Sequence, residues 1–153
     1  MDNLNQLTVS AWADVDFEVG DAVYFQYYNE YPISPLGIHA IKPTTSGTSL
    51  RTMHGVAVTP AKAAYDNFPA ELVTVVLASS GILSVKVDWT GDLLPGTGIY
   101  PPKNVAGTMS ADTAPTKPHN ILGLYAGMDI LPESESGSRI SVLILRLAPQ
   151  ISA

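Results

Sequence analysis

The chain has 153 residues, 46% of them hydrophobic, with 14 acidic side chains against 8 basic ones and a net charge of −6. That length suits one domain with a real core, and scattered Lys and Arg on an acidic background exclude a phosphate-reading surface for nucleic acid or anionic lipid. With no Cys, disulfides, thiol nucleophiles and thiolate metal sites are excluded too. Charged residues make up only 14% of the chain, beside 12 Gly and 12 Pro. The composition is therefore turn-rich, with a weakly charged surface of the kind that partners cover. The opening MDNLNQLTVSAW has neither the basic nor the apolar region of a leader, and no stretch approaches the roughly 18 apolar residues of a membrane span. A cytoplasmic site of synthesis is expected.

Taken in chain order, Leu7, Val9, Ala11 and Ala13 alternate with Thr8, Ser10, Trp12 and Asp14. This reads either as a first framework strand or as an arm that adds to a neighbouring subunit's sheet. We delimit residues 1–16 as an N-terminal arm and 17–153 as a single β domain. Short runs rich in Val, Ile, Tyr and Thr, bounded by Gly, Pro, Asp or Ser, predict strands at Val23–Tyr28, Gly37–Ile41, Gly55–Thr59, Leu72–Ala78, Leu83–Trp89, Gly98–Tyr100, Ile121–Tyr125 and Ile140–Leu147. In Leu83–Trp89 the residues Leu83, Val85, Val87 and Trp89 share one face and Ser84, Lys86 and Asp88 the other, so one side is wet. Residues 73–77 and 140–145 are nearly continuous apolar runs. Such strands are covered on both faces or lie at a subunit contact. Pro60–Asn67 is the one stretch suited to a short helical turn, while 42–52, 101–119 and 132–138 read as loops.

The two halves share a three-part pattern. Val19–Gly20–Asp21–Ala22–Val23–Tyr24, His54–Gly55–Val56–Ala57–Val58 and Leu72–Leu77 are matched by Pro95–Gly96–Thr97–Gly98–Ile99–Tyr100, Leu122–Gly123–Leu124–Tyr125–Ala126 and Ile140–Leu145. A Gly turn launches a strand, a Gly at the head of the next allows close backbone approach, and a β-branched strand closes the unit. The fold expected is all-β, a small barrel or sandwich of two pseudo-repeated units, with an extended N-terminal arm and at most one short helix. Chance recurrence of Gly-flanked strands is the plain alternative to duplication.

The segments VGDAVYF (19–25), GVAVTP (55–60), the apolar strand 73–77, LPGTGIYP (94–101), ILGLYAG (121–127) and ISVLIL (140–145) resemble the capsid decoration (cement) proteins of tailed bacteriophages, over about residues 19–147. Two departures are the long Tyr27–Arg51 segment and Gly96–Thr97 in place of Gly–Asp. The resemblance implies a compact β domain, often a homotrimer, on the outside of an icosahedral head. There it would bind the major capsid protein where subunits meet and stabilise their contacts. It also implies localisation to the virion's outer surface after assembly in the host cytoplasm, with no nucleic-acid or membrane partner.

No enzyme chemistry is expected. His39, His54 and His119 have no metal-ligand spacing, and no nucleophile elbow or phosphate-cradling Gly loop occurs. Asp14, Asp16, Glu18 and Asp21 lack the order of a calcium loop and read as a solvated acidic edge. Asp129, Glu133 and Glu135 sit among Ser and Gly as in an exposed turn. Catalytic residues, metals and cofactors are accordingly predicted to be none. The candidate capsid or subunit interface is Leu4, Leu7, Val9 and Trp12, with Tyr24, Tyr27 and Tyr28 from the densest aromatic group. A carbohydrate- or receptor-binding β module of a fibre or tail, using those tyrosines to stack on a sugar, is the alternative function.

Overall fold

The computed structural model describes residues 7–28, 37–43, 53–78, 81–111, 121–129 and 135–144. Among these residues there are ten strands and no helix: β1 (Leu7–Ala13), β2 (Ala22–Tyr28), β3 (Gly37–Ile41), β4 (Gly55–Ala57), β5 (Leu72–Ala78), β6 (Gly81–Asp88), β7 (Gly98–Ile99), β8 (Met109–Ser110), β9 (Gly123–Tyr125) and β10 (Arg139–Ile144). The first five close into a barrel in the order β1-β3-β2-β4-β5, and the last five form a sheet in the order β7-β9-β10-β6-β8. That second sheet curls round on itself as well. Tyr100, directly after β7, bridges Ser110 of β8, each N–H donating to the other's carbonyl at 2.8 and 2.9 Å.

The two barrels repeat each other strand for strand. Pairs β1–β3 and β6–β8 are parallel, and every other neighbouring pair is antiparallel in both units. The registers superpose as well. Ala11 faces Val73 as Val85 faces Ile140; Ala57 faces Val75 as Tyr125 faces Val142; Val23 faces Gly55 as Ile99 faces Gly123. Loop hydrogen bonds follow suit. Gly20 N–H donates to Ala57 O as Gly96 N–H does to Tyr125 O, both at 2.8 Å, and Ala57 N–H and Tyr125 N–H return bonds to Asp21 O and Thr97 O. Both turn glycines hold the left-handed backbone that a side chain disfavours, at φ +94° and +88°. The three-part repeat is thus a five-part duplication, in which β1 matches β6 and β3 matches β8.

Of the proposed arm, residues 7–16 are described, and Leu7–Ala13 take the framework alternative. β1 closes the first barrel by pairing with both β3 and β5. The helical turn expected at Pro60–Asn67 does not form. Ala61 pairs with Phe17 in both directions, Lys62 N–H donates to a Glu71 carboxylate oxygen at 2.9 Å, and Ala63 N–H donates to Asp16 at 2.9 Å. The carbonyls of Ala61 and Lys62, which N–H groups four residues on would need in a helix, accept from Phe17 and Glu71 instead, and Tyr65 N–H donates to Phe68 O. The stretch ends in a tight turn at Asp66–Asn67, across which the rings of Tyr65 and Phe68 stack at 5.1 Å.

Alternation along each strand sorts the side chains. Ala11, Ala13, Val23, Ala40, Ala57, Val73 and Val75 fill the first barrel, whose narrow lumen admits mainly Ala and Val. The second holds larger groups, among them Val85, Val87, Ile99, Met109, Ile140 and Val142. Ala22, Val56 and Val76, on the outer face of the first barrel, are buried in this same second cluster, so the barrels share a core.

Gly55 and Gly123 occupy one repeat position for one reason. A Cβ there would collide with the backbone carbonyl oxygen of Val76 in the first case and of Leu143 in the second. Gly55→Ala and Gly123→Ala are each expected to destabilise the fold by about 1–3 kcal/mol through forced separation of β4 from β5 or of β9 from β10. Urea-denaturation midpoints check this, and an unshifted midpoint would show that these strands are not so closely apposed.

Candidate functional site

The seam between the barrels is built on one carboxylate. Asp21, in the turn before β2, is 1% exposed. Its Oδ2 accepts the Glu18 N–H at 2.7 Å and lies 3.3 Å from Lys42 Nζ, while its Oδ1 lies 3.2 Å from Lys86 Nζ. Lys42 follows β3 and Lys86 belongs to β6, so a single buried charge joins both units. Lys86 also donates to Glu18 at 2.9 Å. Burial works to lower the Lys86 pKa, but the Glu18 hydrogen bond and the Asp21 charge outweigh it and hold the ammonium above its ordinary value. Backbone bonds close the seam: Ala22 N–H donates to Gly107 O at 2.6 Å, Gly107 N–H to Pro43 O at 3.0 Å, and Lys86 N–H to Gly20 O at 3.0 Å.

The acidic run is therefore not simply a solvated edge. Asp14 pairs with buried His39 at 2.6 Å, Asp16 accepts from Ala63, Glu18 binds Lys86 and Asp21 is buried. Side chains in a turn have no alternation to reveal which one points inward, and that is why the pattern missed Asp21. Among the described residues no group of three or more His, Asp or Glu could hold a metal ion.

The predicted interface residues divide between separate places. Leu4 lies outside the described residues. Leu7 is exposed at the start of β1, and Val9 is half-buried against the first core. Trp12 is half-buried on the outer face, where it pairs with Leu72 and His39. Tyr24 stacks on His54 with ring centroids 4.4 Å apart, and Phe25 stacks on the same imidazole at 5.6 Å. Tyr27 stands out, 68% exposed and opposite Ile38, itself 38% exposed, where β2 and β3 run on beyond β4. The backbone of Tyr28 pairs with Gly37; its side chain lies outside the description.

Sequence reasoning placed the run 140–145 either under cover on both faces or at a subunit contact, without singling out the exposed apolar surface to which it belongs. On the outer face of the second barrel, Leu143 lies between Ile82 on β6 and Leu124 on β9. Ile82 and Leu143 are 49% and 40% exposed, and Leu94, in the turn before β7, is 64% exposed. The continuous apolar run at 140–145 was the signal for it: Ile140, Val142 and Ile144 point inward, which leaves Leu143 on the outside.

No protein-family model matches the chain, and no curated protein matches it. Among solved structures it is similar to the head fiber gp8.5 N base of bacteriophage phi29, with a TM-score of 0.53 and 14% identity, covering 96% of this chain and 99% of that one. At that identity the likeness is one of fold, and it extends over nearly the whole of both chains.

Two outcomes test the geometry. Asp21→Asn removes the charge that two ammonium groups share in a buried setting and is expected to cost about 3 kcal/mol, read as a lowered denaturation midpoint. His54 Nδ1 accepts the Phe25 N–H at 2.9 Å, and burial holds its pKa below the usual imidazole value. A folded-state pKa below the unfolded one gives stability that is complete above pH 6.5 and lost as pH falls towards the folded value. Stability should therefore drop between pH 7 and 5 more steeply in the wild type than in His54→Asn.

Proposed function

We propose that this chain is a structural protein of a phage virion, bound as a homotrimer to the outer surface of the head, where it braces contacts between major capsid subunits. The observation that carries this reading is the full-length likeness of fold to a protein described as a phage head fiber base. The resemblance of the six segments between residues 19 and 145 to capsid decoration proteins supports the same setting. The role is one of binding, not catalysis. Its surfaces are apolar patches on rigid barrels, as docking requires, and the charged groups of the seam are spent on holding the barrels together. A protein that binds only the assembled shell stabilises it by linkage, and many copies add.

Sedimentation of the purified protein with undecorated phage heads tests the proposal. The expected outcome is saturable co-pelleting together with a solution mass of three chains; protein left in the supernatant would sink the reading. Tyr27 is the strongest candidate for the shell-facing anchor, because an exposed aromatic ring gains most from being covered. Tyr27→Ala is expected to weaken shell binding about tenfold, a loss of ~1.4 kcal/mol, with no change in melting temperature. The same ring is what favours the second reading, a glycan-binding module. A glycan-array signal abolished by Tyr27→Ala, with no affinity for heads, would decide for it.

A further inference from the structure

The duplication allows each barrel's surface to be compared position by position, and one face is covered in the first barrel but open in the second. Val56 and Val76 are buried where the first barrel meets the second. Their repeat partners, by the registers that align Gly55 with Gly123 and Val75 with Val142, are Leu124 and Leu143. Leu143 is 40% exposed, with Ile82 beside it at 49%. The second barrel thus ends in an apolar version of a face that, one repeat earlier, is packed against another barrel.

The groups that grip this seam are changed in a concerted way between repeats. Inside the chain, Glu18 and Asp21 of the first barrel's turn meet Lys86 of β6, with Arg139 of β10 opposite Lys86 and its side chain lying against Gly20 of the same turn. The positions equivalent to Glu18 and Asp21 are Leu94 and Thr97, since Thr97 N–H donates to Leu94 O as Asp21 N–H donates to Glu18 O. Those equivalent to Lys86 and Arg139 are Trp12 and Leu72, which face each other across β1 and β5 as Lys86 and Arg139 do across β6 and β10. Where the internal contact sets acid against base, the corresponding outer surfaces carry no charge: Leu94 with the small hydroxyl of Thr97 on one side, Trp12 with Leu72 on the other. Leu94 and Leu72 are 64% and 49% exposed, and Trp12 is half-buried. Both halves of a contact have changed character together.

We infer that a second copy of this chain docks head to tail, its Trp12–Leu72 surface packing on the Leu94 turn and the Leu124–Leu143 face, and so repeats between subunits the contact that the two barrels make within one. Such a heterologous contact closes into a ring when its rotation allows. Closure at three rests on the homotrimer proposed above; the location of the contact does not depend on shell binding.

The test is the solution mass of the full chain by light scattering across a dilution series, with circular dichroism to confirm folding. Leu94→Glu, on an exposed turn, is expected to reduce the mass to that of a single chain, as is Leu143→Glu. Adding Trp12→Lys to Leu94→Glu should restore the oligomer, because Glu at 94 facing Lys at 12 reproduces the Glu18–Lys86 pair of the internal seam. Recovery by a second charged substitution is not something a merely structural role could produce. If the double variant does not fold, the two single variants decide. An oligomer that survives both Leu94→Glu and Leu143→Glu overturns the inference and leaves the homotrimer standing. A wild-type mass of one chain at every concentration overturns both. Variants that stay oligomeric but no longer pellet with heads would assign the face to the shell and overturn the self-contact.

Discussion

Asp21 is the group on which the arrangement of the two barrels depends. Its carboxylate is almost completely removed from water, yet it has Lys42 within 3.3 Å on its own unit and Lys86 within 3.2 Å on the other. Desolvating a charge is costly, and only partners in fixed positions offset that cost. The pairing is therefore an orientation constraint more than a source of raw stability. If the second barrel slid relative to the first, a buried anion would be left with one cation. The backbone bonds around Gly107 make the same demand, because Ala22 and Pro43 clasp one glycine between them. Apolar packing of Val56 and Val76 tolerates many rotations, whereas the charge at Asp21 admits few.

A duplicated unit that packs on its own copy keeps one end unpaired, and the residues there indicate what has become of it. Solvated ends of tandem repeats are usually polar. Here the positions that correspond to the seam are Leu94, Leu124, Leu143, Trp12 and Leu72, with Thr97 in the place of Asp21, in a chain that carries few charges to begin with. On the proposed self-contact the low charge content and the apolar outer face go together, since surface covered by a protein partner needs no solvating groups. Tyr27 and Ile38, where β2 and β3 extend past β4, form a separate patch at a different place.

Much of the framework was legible from the residues. Strands β3 and β5 have the limits that composition and bounding turns predict, β2 starts one residue earlier, and β6 starts two residues and ends one residue earlier than predicted. Three of the five parts of the repeat were legible too, because Gly20 with Gly96 and Gly55 with Gly123 meet the same backbone requirement, and a requirement of that kind leaves the same residue behind. The equivalence of β3 with β8 was not. Ala40 and Met109 both face a core, but Gly37–Ile41 and Met109–Ser110 share no residue type, and a strand of two residues is too short to show a period.

The sequence by itself determined the all-β class, the alternation that sends Val85 and Val87 inward, and the glycines without which the strands could not approach, since these depend on local backbone geometry and period-two patterning. Only the tertiary structure decided that β1 is a barrel strand, that Asp21 is buried while Glu18 is not, and that Leu143 faces outward while Val76, its counterpart, is covered. Each of those outcomes turns on which residues distant in the chain come to lie beside the group, and no local pattern carries that information.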